Sequence, residues 1–84
     1  MAINLIRLGD ATDHSGEVIG ASETMKFDGR GVARKGDKVR CEIHPGVVPN
    51  VIEEGDETMC DEGIPIARHL HRTTCGCRVL SSLV

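Results

Sequence analysis

The chain repeats itself, and that limits its fold more than any other feature of the sequence. Ser22-Glu23-Thr24-Met25-Lys26-Phe27-Asp28-Gly29 aligns with Asp56-Glu57-Thr58-Met59-Cys60-Asp61-Glu62-Gly63 at an offset of 34 residues. The same offset carries Ala33-Arg34 onto Ala67-Arg68, Lys38 onto Arg72 and Cys41 onto Cys75, while Asp37 falls on His71. A third, partial copy stands at the N-terminus, where Arg7-Leu8-Gly9-Asp10 matches Arg34-Lys35-Gly36-Asp37 at an offset of 27. The unequal offsets reflect a longer loop, Glu42 to Asn50, in the middle copy. Four residues after each Asp or His comes a His or Cys (His14, Cys41, Cys75), and an apolar pair follows: Val18-Ile19, Val51-Ile52, Val79-Leu80.

Each copy reads as β. The segments Glu23 to Phe27 and Val32 to Arg34 are short, and Asp28-Gly29 between them is a hairpin signal. Ten glycines and three prolines interrupt every stretch long enough for a helix, and no window holds a 3.6-residue apolar period. The expectation is an all-β chain of three imperfect β-hairpin repeats with pseudo-three-fold symmetry, spanning residues 1–84 as one domain with no second domain fused to it. Equivalent loops of three such copies converge near the axis. Asp10 and Asp37 are expected to hold turns through side-chain-to-backbone hydrogen bonds.

A core this small needs help. A chain of 84 residues buries roughly 60 to 65 % of its unfolded surface, and Phe27 is its only Phe, Tyr or Trp. Domains of this kind lean on a metal, disulfides or a partner chain. With 13 acidic and 10 basic residues interspersed, there is neither a basic face nor aromatic stacking to serve nucleic acid. No run of about 18 apolar residues suggests a membrane span, and MAINLIRLGD does not read as a signal peptide. The expected starting location is therefore the cytoplasm.

In a cytosolic chain, cysteine mixed with histidine points to metal. The eight candidates are Cys41, Cys60, Cys75, Cys77, His14, His44, His69 and His71. His14 is the single candidate of the first copy. Cys41 and His44 compete in the second, and His69, His71, Cys75 and Cys77 in the third. His71 and Cys75, four residues apart, can reach one ion across a short turn, and His in place of the repeat's Asp reads as a gained ligand. Cys41 and Cys77 read as small buried hydrophobes, Cys60 as incidental, and Arg7, Arg34 and Arg68 as structural.

The ordered set Arg7-Leu8-Gly9-Asp10, Gly31-Val32-Ala33-Arg34-Lys35-Gly36-Asp37 and Pro65-Ile66-Ala67-Arg68-His69-Leu70-His71 resembles degenerate copies of the Pro-Ala-Ala-Arg repeat of PAAR proteins. Thr12-Asp13-His14-Ser15-Gly16, Cys41-Glu42-Ile43-His44-Pro45-Gly46 and His71-Arg72-Thr73-Thr74-Cys75-Gly76-Cys77 agree with it, so that the likeness runs from about Arg7 to Leu80. PAAR proteins tip the spikes of type VI secretion systems and related contractile injection machines. The resemblance implies a tapered β-cone with zinc near its apex, bound by three His and one Cys. Carried over by position, these are His14, His44, His71 and Cys75.

The resemblance further implies a structural piercing tip with no enzymatic activity. One chain would cap the blunt end of a trimeric VgrG-type spike and carry any effector toxin as a separate protein. It would be loaded in the cytoplasm, cross a target membrane transiently on firing and be delivered with the spike. The alternative from the residues themselves is a small zinc- or thiol-based redox protein using Cys75 and Cys77. Against that, redox pairs usually have two intervening residues and sit at a helix start.

Overall fold

In the computed structural model, which describes residues 4–84, the hydrogen bonds of the backbone recur in threes. The Arg-x-x-Asp turn is the clearest case. The Asp10 amide donates to the Arg7 carbonyl and the Arg7 amide to Asp10 Oδ2 at 2.8 Å. Arg34 and Asp37 repeat the pair, with the side-chain bond at 2.7 Å. Arg68 and His71 repeat it again, His71 Nδ1 accepting the Arg68 amide at 3.0 Å. The third residue of each turn lies in the left-handed region: Gly9 at φ 89°, Gly36 at 92° and Leu70 at 70°. Glycine enters that region freely, whereas leucine pays for its Cβ.

These turns feed a ring. Ile6 N–H donates to Ala67, Ala67 to Ala33 and Ala33 back to Ile6, over 2.8 to 3.1 Å, so three segments far apart in sequence close on one another. Just beyond each turn the chain folds back: Gly9, Gly36 and Leu70 donate to Val18, Ile52 and Val79, which donate in return to Asp10, Asp37 and His71. Ile52, not Val51, thus occupies the place of Val18 and Val79. All three are fully buried and form one cluster with Ile6, Ala33, Val39 and Ala67. A second cluster joins Leu5, Val32 and Ile66, with Met25, Phe27 and Leu83 packed against it. The burial fits a core of small aliphatic side chains, one from each copy per layer. Of the apolar pairs, Ile19 faces solvent.

Among the described residues the chain is all-β, with six short strands and no helix. Strand β1 (Glu17–Val18) pairs antiparallel with β4 (Val39–Arg40), joining the first copy to the second. The other pairs are hairpins: β2 (Lys26–Phe27) with β3 (Arg30–Gly31), and β5 (Asp56–Asp61) with β6 (Ile64–Ile66). Their two-residue turns, Asp28-Gly29 and Glu62-Gly63, hold positive φ at both positions, as the twist of a tight hairpin requires. The radius of gyration, 11.4 Å, matches the ~12 Å of a folded chain this long.

The arginines brace this frame. Arg7 reaches the Phe27 carbonyl and Ser82 Oγ, and Arg68 holds Asp56 Oδ2 and Asn4 Oδ1. Arg34 lies against Asp37 and Asp61, and Asp61 also accepts from Ser22 and Thr24. The Ser22 hydroxyl first, then Thr24 and Arg34, hold the Asp61 carboxyl below its usual range against the opposing effect of desolvation.

Candidate metal centre

One loop from each copy reaches the same place. Thr12 N–H bonds the Gly16 carbonyl, and Thr73 N–H the Cys77 carbonyl, closing two tight loops. Val39 N–H bonds Asn50 in the equivalent way, but around the longer excursion that carries Cys41 and His44. Gly16 makes its loop possible: a Cβ there would fall on the Arg40 carbonyl oxygen and Thr12 Oγ1.

At the meeting point, Cys41, His44, Cys75 and Cys77 place their donor atoms within 4.8 Å of one another. Cys41 Sγ lies 3.4 Å from His44 Nδ1 and 3.4 Å from Cys77 Sγ, and Cys77 Sγ is 3.8 Å from His44 Nδ1. Around a tetrahedral zinc, sulfurs would be ~3.8 Å apart and sulfur and nitrogen ~3.6 Å apart, given bond lengths of ~2.3 and ~2.0–2.1 Å. The separations fit such an ion. Cys41 and Cys77 are buried, while His44 and Cys75 are half-buried. The group could hold a metal ion. Asp13, His14 and Cys77 form an adjoining group. His14 Nδ1 sits 3.0 Å from Asp13 Oδ1, and its ring stands edge-on to His44 with centroids 6.4 Å apart.

The two outer thiols of the third loop differ in character. Burial works against ionising Cys75, but hydrogen bonds from Thr73 and from the Cys77 amide, together with Cys77 and Cys41, outweigh it and bring the thiol down to about 6. Cys77 is pushed up, first by burial and then by its Cys41 and Cys75 neighbours. Such a pair keeps one sulfur ready as a thiolate beside a second, Cys77, whose ionisation a bound cation would favour.

Of the residues that the resemblance implies, His44 and Cys75 lie in the central group and His14 in the adjoining one. His71 lies in neither: its Nδ1 is the acceptor of the Arg68 amide, in the role of Asp10 and Asp37. His69 also stands apart, accepting the Ser81 amide. Cys41 and Cys77 are buried, as expected of small hydrophobes, and also face the donor group. The sequence carried a signal for Cys41, which shares a repeat position with His14 and Cys75. Cys60 is exposed on β5, with its sulfur toward the Glu57 carbonyl.

The sequence from residue 8 to 81 matches the model of the PAAR motif, most of the chain, and the protein belongs to that family. Among curated proteins, none matches the sequence significantly.

Proposed function

We propose that this protein is the structural tip of a contractile injection spike of the type VI kind, with no catalytic activity. Membership of the PAAR family carries the reading. The three copies form a pseudo-three-fold cone, a shape favoured by the hydrogen-bond ring through Ile6, Ala33 and Ala67. A chain with three related faces matches a trimeric spike of the VgrG type, one tip per trimer, each subunit meeting a similar surface. Effectors, where carried, are separate proteins. The tip is loaded in the cytoplasm and leaves with the spike.

Zinc, held by Cys41, His44, Cys75 and Cys77, ties the loops of the second and third copies together at the apex, with His14 of the first copy alongside. This set shares His44 and Cys75 with the one the resemblance implies, and has Cys41 and Cys77 in place of His14 and His71. Four protein donors leave no open position for a substrate, so the ion supplies folding energy and stiffness rather than catalysis. The low thiol of Cys75 also suits a redox protein using Cys75 and Cys77, but a thiolate bound to zinc is withdrawn from exchange.

Mixing the zinc-loaded protein with a purified trimeric spike protein from the same cell and measuring mass by light scattering tests the reading. One chain per trimer is expected. A folded, metal-loaded protein that binds no spike would overturn the tip assignment, and turnover of a small-molecule disulfide by that protein would favour the redox alternative.

A further inference from the structure

Asn50 ends the long middle loop, at the position that Gly16 and Cys77 hold in the other copies. Its side chain makes two bonds to a residue 25 positions away. Oδ1 accepts the Cys75 amide at 3.2 Å, and Nδ2 donates to Cys75 Sγ at 3.3 Å. The backbone N–H can only donate, so it fixes the amide's orientation and leaves the NH2 group facing the sulfur. Thr73 Oγ1 is also close to that sulfur, at 3.2 Å, but its hydroxyl donates to the Cys77 carbonyl at 3.1 Å. A hydroxyl has one proton, which Thr73 must share between the Cys77 carbonyl and the Cys75 sulfur. The Asn50 amide donates to the sulfur without giving up another bond.

We propose that Asn50 is a positioning residue for the metal: it aims the Cys75 sulfur at the Cys41, His44 and Cys77 donors. This rests on the reading of the Cys/His group as a metal site. Outer partners that orient a ligand commonly carry about 10- to 100-fold of a site's affinity. Asn50 also couples the loop bearing Cys41 and His44 to the sulfur of the third copy, so that loop closure and metal capture support each other.

Zinc affinity, measured by competition with a chromophoric chelator, and the sulfur-to-metal charge-transfer band of the cobalt(II)-loaded protein test this on wild type, Asn50→Ala and Asn50→Asp. Asn50→Asp keeps the backbone carbonyl and an acceptor for the Cys75 amide while setting a carboxylate oxygen in place of the donor to sulfur, and so still tests the proposed contact if Asn50→Ala fails to fold. Zinc binding is expected to weaken by about 10- to 100-fold in Asn50→Ala, and at least as much in Asn50→Asp. The charge-transfer band per bound cobalt should fall in both. Folded variants with wild-type zinc affinity and an unchanged band would overturn the proposal, as would a change confined to melting temperature. A wild-type protein that binds neither ion would instead overturn the metal reading beneath it.

Discussion

Replacing His71 separates a turn residue from a metal ligand. In the structure its Nδ1 accepts the Arg68 amide at 3.0 Å, as Asp10 and Asp37 do for Arg7 and Arg34 at 2.8 and 2.7 Å. His71→Asp should therefore restore the turn of the other two copies, changing stability by less than about 0.5 kcal/mol. His71→Ala removes the acceptor and costs about 1 kcal/mol, which lowers the melting temperature by about 4–8 °C in a domain of this size. Neither change should alter zinc affinity more than a few-fold. If His71 were one of four ligands, each substitution would remove about 3 kcal/mol of binding, roughly a hundredfold. Circular dichroism melts of the zinc-loaded variants, beside chelator competition, distinguish the two cases. A hundredfold loss of zinc in His71→Asp would refute the turn assignment.

Three further outcomes follow from the same frame. Leu70 sits at φ 70° and is largely exposed, so Leu70→Gly should relieve left-handed strain and raise stability by about 1 kcal/mol, seen as a higher midpoint in urea. With metal bound, a thiol reagent should label the exposed Cys60 alone, and adding a strong chelator should bring Cys41, Cys75 and Cys77 into reaction; full labelling before chelation would count against the site. Asp61 has its folded-state carboxyl held below the unfolded value. It therefore contributes stability that is fully present above the unfolded value and is lost as pH falls through the folded one. Asp61→Asn should flatten the acid limb of the melting temperature against pH, and an unchanged limb would contradict the role given to Ser22, Thr24 and Arg34.

Where the sequence speaks through spacing, it is readable. The offsets of 27 and 34 place Arg7, Arg34 and Arg68 in equivalent turns, and Asp28-Gly29 marks a real hairpin. The site is harder to read because its chemistry is ambiguous residue by residue. A histidine in place of Asp37's counterpart reads as a gained ligand, yet an imidazole nitrogen accepts a backbone amide as a carboxylate does. Cys41 and Cys77 have the burial of hydrophobes, and only the folding of the long loop back to Asn50 brings them to His44. The Val51-Ile52 pair slips by one residue for the same reason: the loop's length fixes which of the two turns inward.

The proposed centre joins the loops of the second and third copies through one sulfur-rich set of donors. X-ray absorption at the zinc edge of the metal-loaded protein tests it directly. The donor group of Cys41, His44, Cys75 and Cys77 predicts three sulfurs at ~2.3 Å and one nitrogen at ~2.0 Å. A shell of three nitrogens and one sulfur, or a folded protein that takes up no zinc, would contradict it.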